Sequence, residues 1–337
     1  MLRERPAGIP ARTGGTGAVS VIRVGTRGSA LAVAQTSWIA DRIAKAAGGA
    51  EIELVQVTTH GDTSRASLSE IGGEGVFAAA LRESLLAGEC DLVVHSLKDL
   101  PTAEHDGLRL GAVPKRADAR DALCARDALT LETLPEGARV GTGSPRRIAQ
   151  VRAARPDLDV VDIRGNVDTR LGRVHGPDAD LDAVLLAAAG LGRLGRSDAI
   201  TDLLDLSDWP TAPGQGALAI EVRRERGDRL LEQALESVDH RSTRAAVLAE
   251  RLVLAGLEAG CSAPIGATAF LEDELLFLTA SVYAADGTRR LTSSHAATPE
   301  SRSASDLAEA ASDIAARVVA ELLGNGAGEL ASSEEPR

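Results

Sequence analysis

From residue 19 onward, short β-branched runs alternate with long alanine-rich stretches. The run at 21–26 reads as a buried strand. Residues 30–47 carry apolar positions at helical spacing, with Ser29 placed to cap the first turn. A second strand is predicted at 52–58, a helix at 76–87 and a third strand at 91–95. Between them, 59–75 is rich in glycine, serine and charge and long for a connection, so it reads as a functional loop. This β-α-β-α order predicts a mostly parallel sheet covered on both faces.

A second block begins near Lys115, with strands expected at 121–125, 160–163 and 183–187 and helices at 145–155 and 167–174. Thr211-Ala-Pro-Gly-Gln-Gly216 is a Gly/Pro hinge leading into a strand at 217–222. A third block orders a helix at 243–257, strand-like runs at 264–271 and 275–283, and a helix at 304–323, as in a small α+β domain. The expected organisation is an N-terminal arm (1–18), domain 1 (19–114 plus 217–236, α/β), domain 2 (115–216, α/β), domain 3 (237–323, α+β) and a frayed tail (324–337).

Composition narrows the function classes. At 337 residues the chain is too long for one small domain. Its 44% hydrophobic and 26% charged residues are a globular rather than a disordered mixture. A net charge of −12, with only three Phe, two Trp and one Tyr, argues against nucleic acid as a partner. No apolar stretch approaches the ~18 residues of a membrane span, and the first twenty residues lack the apolar core of a signal peptide. Cys90, Cys124 and Cys261 are odd in number and far apart, matching neither a disulfide framework nor a zinc site, so a reducing cytoplasm is expected.

Arginine recurs where strands run into helices. Gly25-Thr-Arg-Gly-Ser29 turns sharply and leaves Arg27 at a helix N-terminus. In Gly141-Thr-Gly-Ser-Pro-Arg-Arg147, Ser144 suits the N-cap and Pro145 the first helical position. Arg146 and Arg147 then fall in the first turn, where the macrodipole disfavours cations and a bound anion would relieve the repulsion. Arg164-Gly-Asn-Val-Asp-Thr-Arg170 repeats the theme, with Asn166 as cap and Arg170 in the first turn, and Arg193 follows the apolar run 185–191. Any one of these is as often a solvated surface residue. Gathered at the C-terminal ends of strands in open α/β sheets, they imply a ligand with several carboxylates or phosphates. There is no Gly-rich Lys-Ser/Thr phosphate loop, which disfavours a nucleoside triphosphate.

Val93-Val-His-Ser-Leu-Lys-Asp-Leu-Pro101 runs a strand into His95, Ser96, Lys98 and Asp99. Asp99 beside a cationic cleft would stabilise positive charge on a substrate or shuttle a proton. The plainer alternative is a Lys98–Asp99 surface pair with His95 satisfied in the core. Cys261 lies in the tight loop Glu258-Ala-Gly-Cys-Ser-Ala-Pro-Ile-Gly266. A lone cysteine is most often a small buried hydrophobe, and spacing does not separate that from an attachment point.

Taken together, these motifs, with Pro213-Gly-Gln-Gly-Ala217 and the run 185–193, resemble the porphobilinogen deaminase (hydroxymethylbilane synthase) family over roughly 19–323. The resemblance implies three α/β domains, the first two like a type II periplasmic binding protein with mainly parallel sheets, the third small and α+β. It implies a transferase of tetrapyrrole (haem) biosynthesis. Four porphobilinogens are condensed head to tail with loss of ammonia on a dipyrromethane cofactor, held by a thioether at Cys261, and hydroxymethylbilane is released by water. By the same resemblance Asp99 is the catalytic carboxylate. Ser96, Lys98, Ser144, Arg146, Arg147, Gly165, Asn166 and Arg170 surround the cofactor, while Arg27, Ser29, Arg164, Arg170, Arg193 and Gln215 meet the substrate. No metal is implied, and the expected form is a cytoplasmic monomer.

The residues agree on physical grounds. Each pyrrole adds two carboxylates, so a growing chain needs a cationic cleft, and a covalent anchor keeps intermediates from diffusing away. Lengthening product also leads us to expect hinge motion near Pro101 and 210–216. One departure is that many family members carry lysines where this chain has Glu70 and Glu74, and these are expected to face solvent. Two rivals stand beside this reading. A binding module that captures a small polyanion would share the cleft but leave Cys261 without purpose. An acyl- or phosphoryl-transfer enzyme would need a nucleophile elbow, phosphate loop or metal motif that the sequence lacks.

Overall fold

A computed structural model describes residues 21–57, 76–257 and 264–332. The first sheet contains β1 (Val21–Arg27), β2 (Glu51–Val57), β3 (Leu92–Ser96), β4 (Leu108–Ala112) and β10 (Leu218–Arg223) in the order β2-β1-β3-β10-β4. β1 runs parallel to β2 and β3, while β10 is antiparallel to both of its neighbours. Helix α1 (Ala30–Ala46) covers one face because Ile39 and Ile43 recur at helical spacing and meet Ile22, Val24, Leu92 and Ile220. Ser29 caps it, its Oγ accepting from the Ala32 amide at 3.3 Å. Helix α2 (Val76–Leu86) buries Leu81 and Leu85 with Val93 and Leu108.

The second sheet repeats the plan. Its strands are β5 (Asp121–Ala125), β6 (Arg139–Gly141), β7 (Asp159–Val161), β8 (Ala183–Ala187) and β9 (Asp202–Leu203), ordered β7-β6-β8-β5-β9. β6 is parallel to β7 and β8, and β5 is antiparallel to β8 and β9. Helices α3 (Pro145–Ala154), α4 (Val167–His175) and α5 (Ala188–Arg193) follow β6, β7 and β8. The chain crosses between the lobes twice, before β5 and before β10. Where the crossings meet, the Ala117 amide donates to the Gly216 carbonyl at 3.2 Å. Gly216 has φ +82°, and a Cβ there would lie 2.9 Å from the carbonyl oxygens of Ala117 and Asp118, so only glycine lets the strands pass so closely.

Helix α6 (Arg229–Val238) packs against α1 and β4 of the first lobe. The third unit has α7 (Arg241–Gly256), an antiparallel sheet β11 (Ile265–Glu272), β12 (Leu275–Tyr283) and β13 (Arg290–Ala297), then α8 (Ala304–Gly324). Its core joins Val253, Ile265, Leu276, Leu278, Ile314 and Val318.

The structure differs from the sequence reading in several places. β4, β6, β9, α6 and β13 were not expected. β6 and β9 are three and two residues long, and β13 alternates around Thr, Ser and His rather than β-branched apolar residues. The expected frayed tail is instead partly helix: α9 (Ala327–Ser332) returns after Gly326, at φ +90°, and buries Ala327 and Leu330 in the third core. Only those two positions carry the pattern, too few to read as amphipathic. Leu330→Ala should lower the stability of the third unit by about 2–3 kcal/mol, measured by denaturant unfolding.

Candidate active site

Parallel strands bring several expected site residues to one edge. Gly25 pairs with Val93, so β1, ending at Arg27, and β3, ending at Ser96, finish at one edge of the sheet. Ser29 spends its oxygen on the α1 cap. After β3 a short 3-10 turn, Leu97–Asp99, is pinned by the buried Leu97, whose amide donates to the Ala217 carbonyl at 3.0 Å. The pin throws Lys98 and Asp99 onto the rim. Asp99 is exposed on that rim. Lys98 is half-buried, and its Nζ donates to Gln215 Oε1 at 3.3 Å. Desolvation pushes the Lys98 pKa down to about 8; Asp99 and Asp121 oppose the shift, while Arg147 and Arg146 add to it.

At the β6–α3 junction Ser144 caps as expected, accepting from the Arg147 amide, with Pro145 following. The two arginines depart from expectation. They are only 4% and 5% exposed, and their terminal nitrogens turn back onto Asp121 instead of standing free at the helix end. Arg146 Nη1 donates to Asp121 Oδ2 at 2.8 Å and to Gln150 Oε1 at 2.6 Å. Arg147 Nη2 donates to Asp121 Oδ1 at 2.6 Å, and its Nη1 to the Leu185 carbonyl at 3.0 Å. Trp209 Nε1 and Gln215 Nε2 complete the shell of Asp121 at 2.9 and 2.7 Å. Burial alone would raise the Asp121 pKa, but Arg146 and Arg147 hold it well below the usual carboxylate range. Both Nε atoms of the pair are buried and have no hydrogen-bond partner among the described residues.

Sequence reasoning missed Asp121, although its signal was present. A carboxylate opening a five-residue strand that is buried throughout must find cations. Gln215 was expected to touch substrate; it is fully buried and joins the lobes, accepting from Lys98 and, at 3.4 Å, from Arg147. Arg193, expected near substrate, donates to the Gly216 carbonyl at 2.7 Å, and burial pushes its pKa down to about 10.

At the β7–α4 junction Asn166 caps as expected, its Oδ1 accepting from the Thr169 amide at 2.8 Å. Gly165 takes φ +109°, and its carbonyl accepts from Arg170 Nε at 2.9 Å. Arg164 is exposed, 3.5 Å from Asp162. The Arg170 pKa is lowered by burial first, then by Arg147 and Arg164. Arg147 therefore acts on Lys98 and Arg170 alike, and the junctions form one field.

His95 follows the plainer alternative. It lies in the core with Nε2 3.0 Å from Glu221 Oε2, while Arg82 donates to both Glu221 oxygens at 2.9–3.0 Å. Burial opposes ionisation of Glu221, yet His95 and Arg82 hold its pKa down to about 2. A second unforeseen cluster ties the third unit to the hinge. Glu250 is fully buried, accepts from Arg116 Nη1 at 2.6 Å and from the amides of Gly214 and Ala269 at 2.7 and 2.8 Å. Arg116 Nε donates to the Gln215 carbonyl at 2.7 Å. On the other side, Gln150 Nε2 donates to the Pro210 carbonyl at 2.9 Å and reaches the Tyr283 hydroxyl at 3.2 Å.

Cys261, the arm at 1–18 and the 59–75 segment with Glu70 and Glu74 lie outside the described residues. Cys90 and Cys124 are fully buried; desolvation raises both thiols, Cys124 to about 12. Among the described residues no cluster of three or more His, Cys, Asp or Glu could hold a metal, and no helix is long and apolar enough to cross a membrane.

Residues 22–250 match the family model for the porphobilinogen deaminase dipyrromethane cofactor binding domain, and 244–323 match that for the porphobilinogen deaminase C-terminal domain. The chain belongs to the porphobilinogen deaminase family. A porphobilinogen deaminase of Leifsonia xyli is 69% identical over 312 residues, 92% of this chain and 94% of that protein. One from Micrococcus luteus is 53% identical over 305 residues, 81% of each chain. Among solved structures, the methionine binding protein MetQ is similar to 65% of this chain and 89% of its own, at 13% identity and a TM-score of 0.41.

The Glu221 cluster sets an acid limit on stability. Its folded pKa lies below the ordinary 4.5, so its contribution is complete above pH 4.5 and is lost as pH falls through about 2. Glu221→Gln should be less stable than wild type at pH 7 by about 3 kcal/mol, with a flatter loss of Tm between pH 4.5 and 2, measured by calorimetry.

Proposed function

We propose that the chain is a transferase that condenses four porphobilinogens into hydroxymethylbilane. The observation that carries this is the excess of desolvated cations around one buried carboxylate. Burial lowers the pKa of Lys98, Arg146 and Arg170, Arg147 is buried against Asp121, and the Nε donors of Arg146 and Arg147 are left over. Such a site fits a ligand bearing several carboxylates. That donor set suits dipyrromethane. The residues that would hold it are Cys261, through a thioether, and Ser96, Lys98, Ser144, Arg146, Arg147, Gly165, Asn166 and Arg170. When bound, it supplies the pyrrole carbon from which the product is extended. Burial of both other thiols supports Cys261 as the anchor, since a thiol near pKa 12 is a poor nucleophile at neutral pH.

Arg27, Ser29, Arg164, Arg170 and Arg193 hold the acetate and propionate groups of incoming porphobilinogen, Arg193 from the hinge. Gln215 contributes by joining the two lobes. In each cycle the aminomethyl C–N bond of porphobilinogen breaks and ammonia leaves. Its methylene forms a C–C bond to a pyrrole α-carbon, which gives up a proton. Asp99 stabilises the positive charge that develops on the pyrrole as ammonia departs. Water ends the sequence by releasing hydroxymethylbilane. We assign domain 1 to 19–114 plus 217–236, domain 2 to 115–216 and domain 3 to 237–323 with α9 added, in a cytoplasmic monomer.

Intact mass tests the reading. The purified protein should exceed its sequence mass by a two-pyrrole adduct that Cys261→Ser abolishes and that Cys90→Ser and Cys124→Ser retain. An unmodified active protein would refute the anchor, and a tight anion binder without turnover would favour the capture module. Asp99→Asn should keep the adduct and lose about a hundredfold in kcat. Wild-type turnover would remove Asp99 from its role.

A further inference from the structure

We infer that Asp121 is a positioning residue for the reaction, fixing the Arg146–Arg147 pair and, through Gln215, keeping Lys98 charged and aimed across the lobe boundary. This rests on the reading of Lys98 as a carboxylate-binding residue. Each Asp121 oxygen accepts two hydrogen bonds, Oδ2 from Arg146 and Trp209 and Oδ1 from Arg147 and Gln215. Asp121 is wholly buried and saturated with donors, so it is built neither to bind substrate nor to carry a proton. What it does is orient others. Adjacent guanidiniums in a first helical turn repel each other and the helix dipole, and the shared carboxylate bridges them.

Its second effect passes through an amide. Gln215 Nε2 donates to Asp121 and to the Ala119 carbonyl at 2.8 Å, which turns Oε1 the other way, toward Lys98 and Arg147. The side-chain orientation that receives Lys98 is thus set by the charge of Asp121. The ionisable groups facing Lys98 are Asp99 on its own turn, Arg147 and Arg146 from α3, and Asp121 from β5. Remove the Asp121 charge and, among the protein's own groups, two cations confront Lys98 with only Asp99 opposing them. An Asn at 121 also aims an NH2 group at donors already in place.

The test reads Lys98 directly in the purified full-length holoenzyme. Its acetylation by limiting acetic anhydride is followed against pH by peptide mass spectrometry, beside the pH profile of porphobilinogen turnover. In Asp121→Asn the labelling midpoint should fall by on the order of one pH unit. The alkaline limb of kcat should fall with it, and kcat should drop at least about tenfold with KM nearly unchanged. Asp121→Glu should restore the midpoint. Gln215→Met keeps the Asp121 charge and removes the amide, so it should lower the midpoint by a smaller amount, and it keeps the question open to refutation if Asp121→Asn does not fold. A wild-type midpoint in folded Asp121→Asn, or in Gln215→Met, overturns the inference. A lowered midpoint with an unmoved alkaline limb overturns instead the reading of Lys98 as a working group.

Discussion

The cost of holding several cations out of water governs this protein. Guanidinium and ammonium groups drawn under a cleft are unfavourable unless an anion meets them, and one buried carboxylate meets only part of the charge. Asp121 is enough to keep Arg146 and Arg147 folded in place, and too little to satisfy them. The remainder is the charge that the proposed carboxylate ligand would meet. A fully compensated pocket would be more stable and would bind nothing.

Local geometry delivers those charges. Caps at Ser29, Ser144 and Asn166 start helices at the ends of parallel strands, and each junction sets a basic side chain at that edge of its own sheet. The buried Leu97 does the equivalent for Lys98 and Asp99 by anchoring a single turn. The two lobes share a strand order, so their charged edges can oppose one another, and Gln215 closes the distance between them. Asp99, by contrast, stands in solvent on the rim, where its field is weaker than within the cleft.

Much of this was legible in the chain. The apolar run ending at Ala187 and the Ser144-Pro145 start of α3 are strong local signals, and the structure has both where they were read. The cap residues were legible for the same reason, since an N-cap is decided within four residues. What escaped was non-local. Nothing near Asp121 says that it will meet Arg146 and Arg147, twenty-five and twenty-six positions away, and nothing near Glu250 announces Gly214. Gln215 was noticed for its motif, but its place between the lobes was not foreseen, because its neighbours in sequence are hinge glycines while its partners lie in both lobes. β13 was hidden by polar residues at its inward positions, the buried Ser293 among them, and α9 by its brevity.

The third unit grips both halves of the molecule. Glu250 holds the hinge at Gly214 and the crossing segment at Arg116, while Tyr283 reaches Gln150 in the second lobe. Swinging the lobes wide apart would strip a fully buried carboxylate of its donors, a loss of several kcal/mol with no compensating contact. The halves therefore work as a vice with short travel. Room for a product that lengthens pyrrole by pyrrole has to be found by rearranging within the jaws, and the brace at the back sets how far they part.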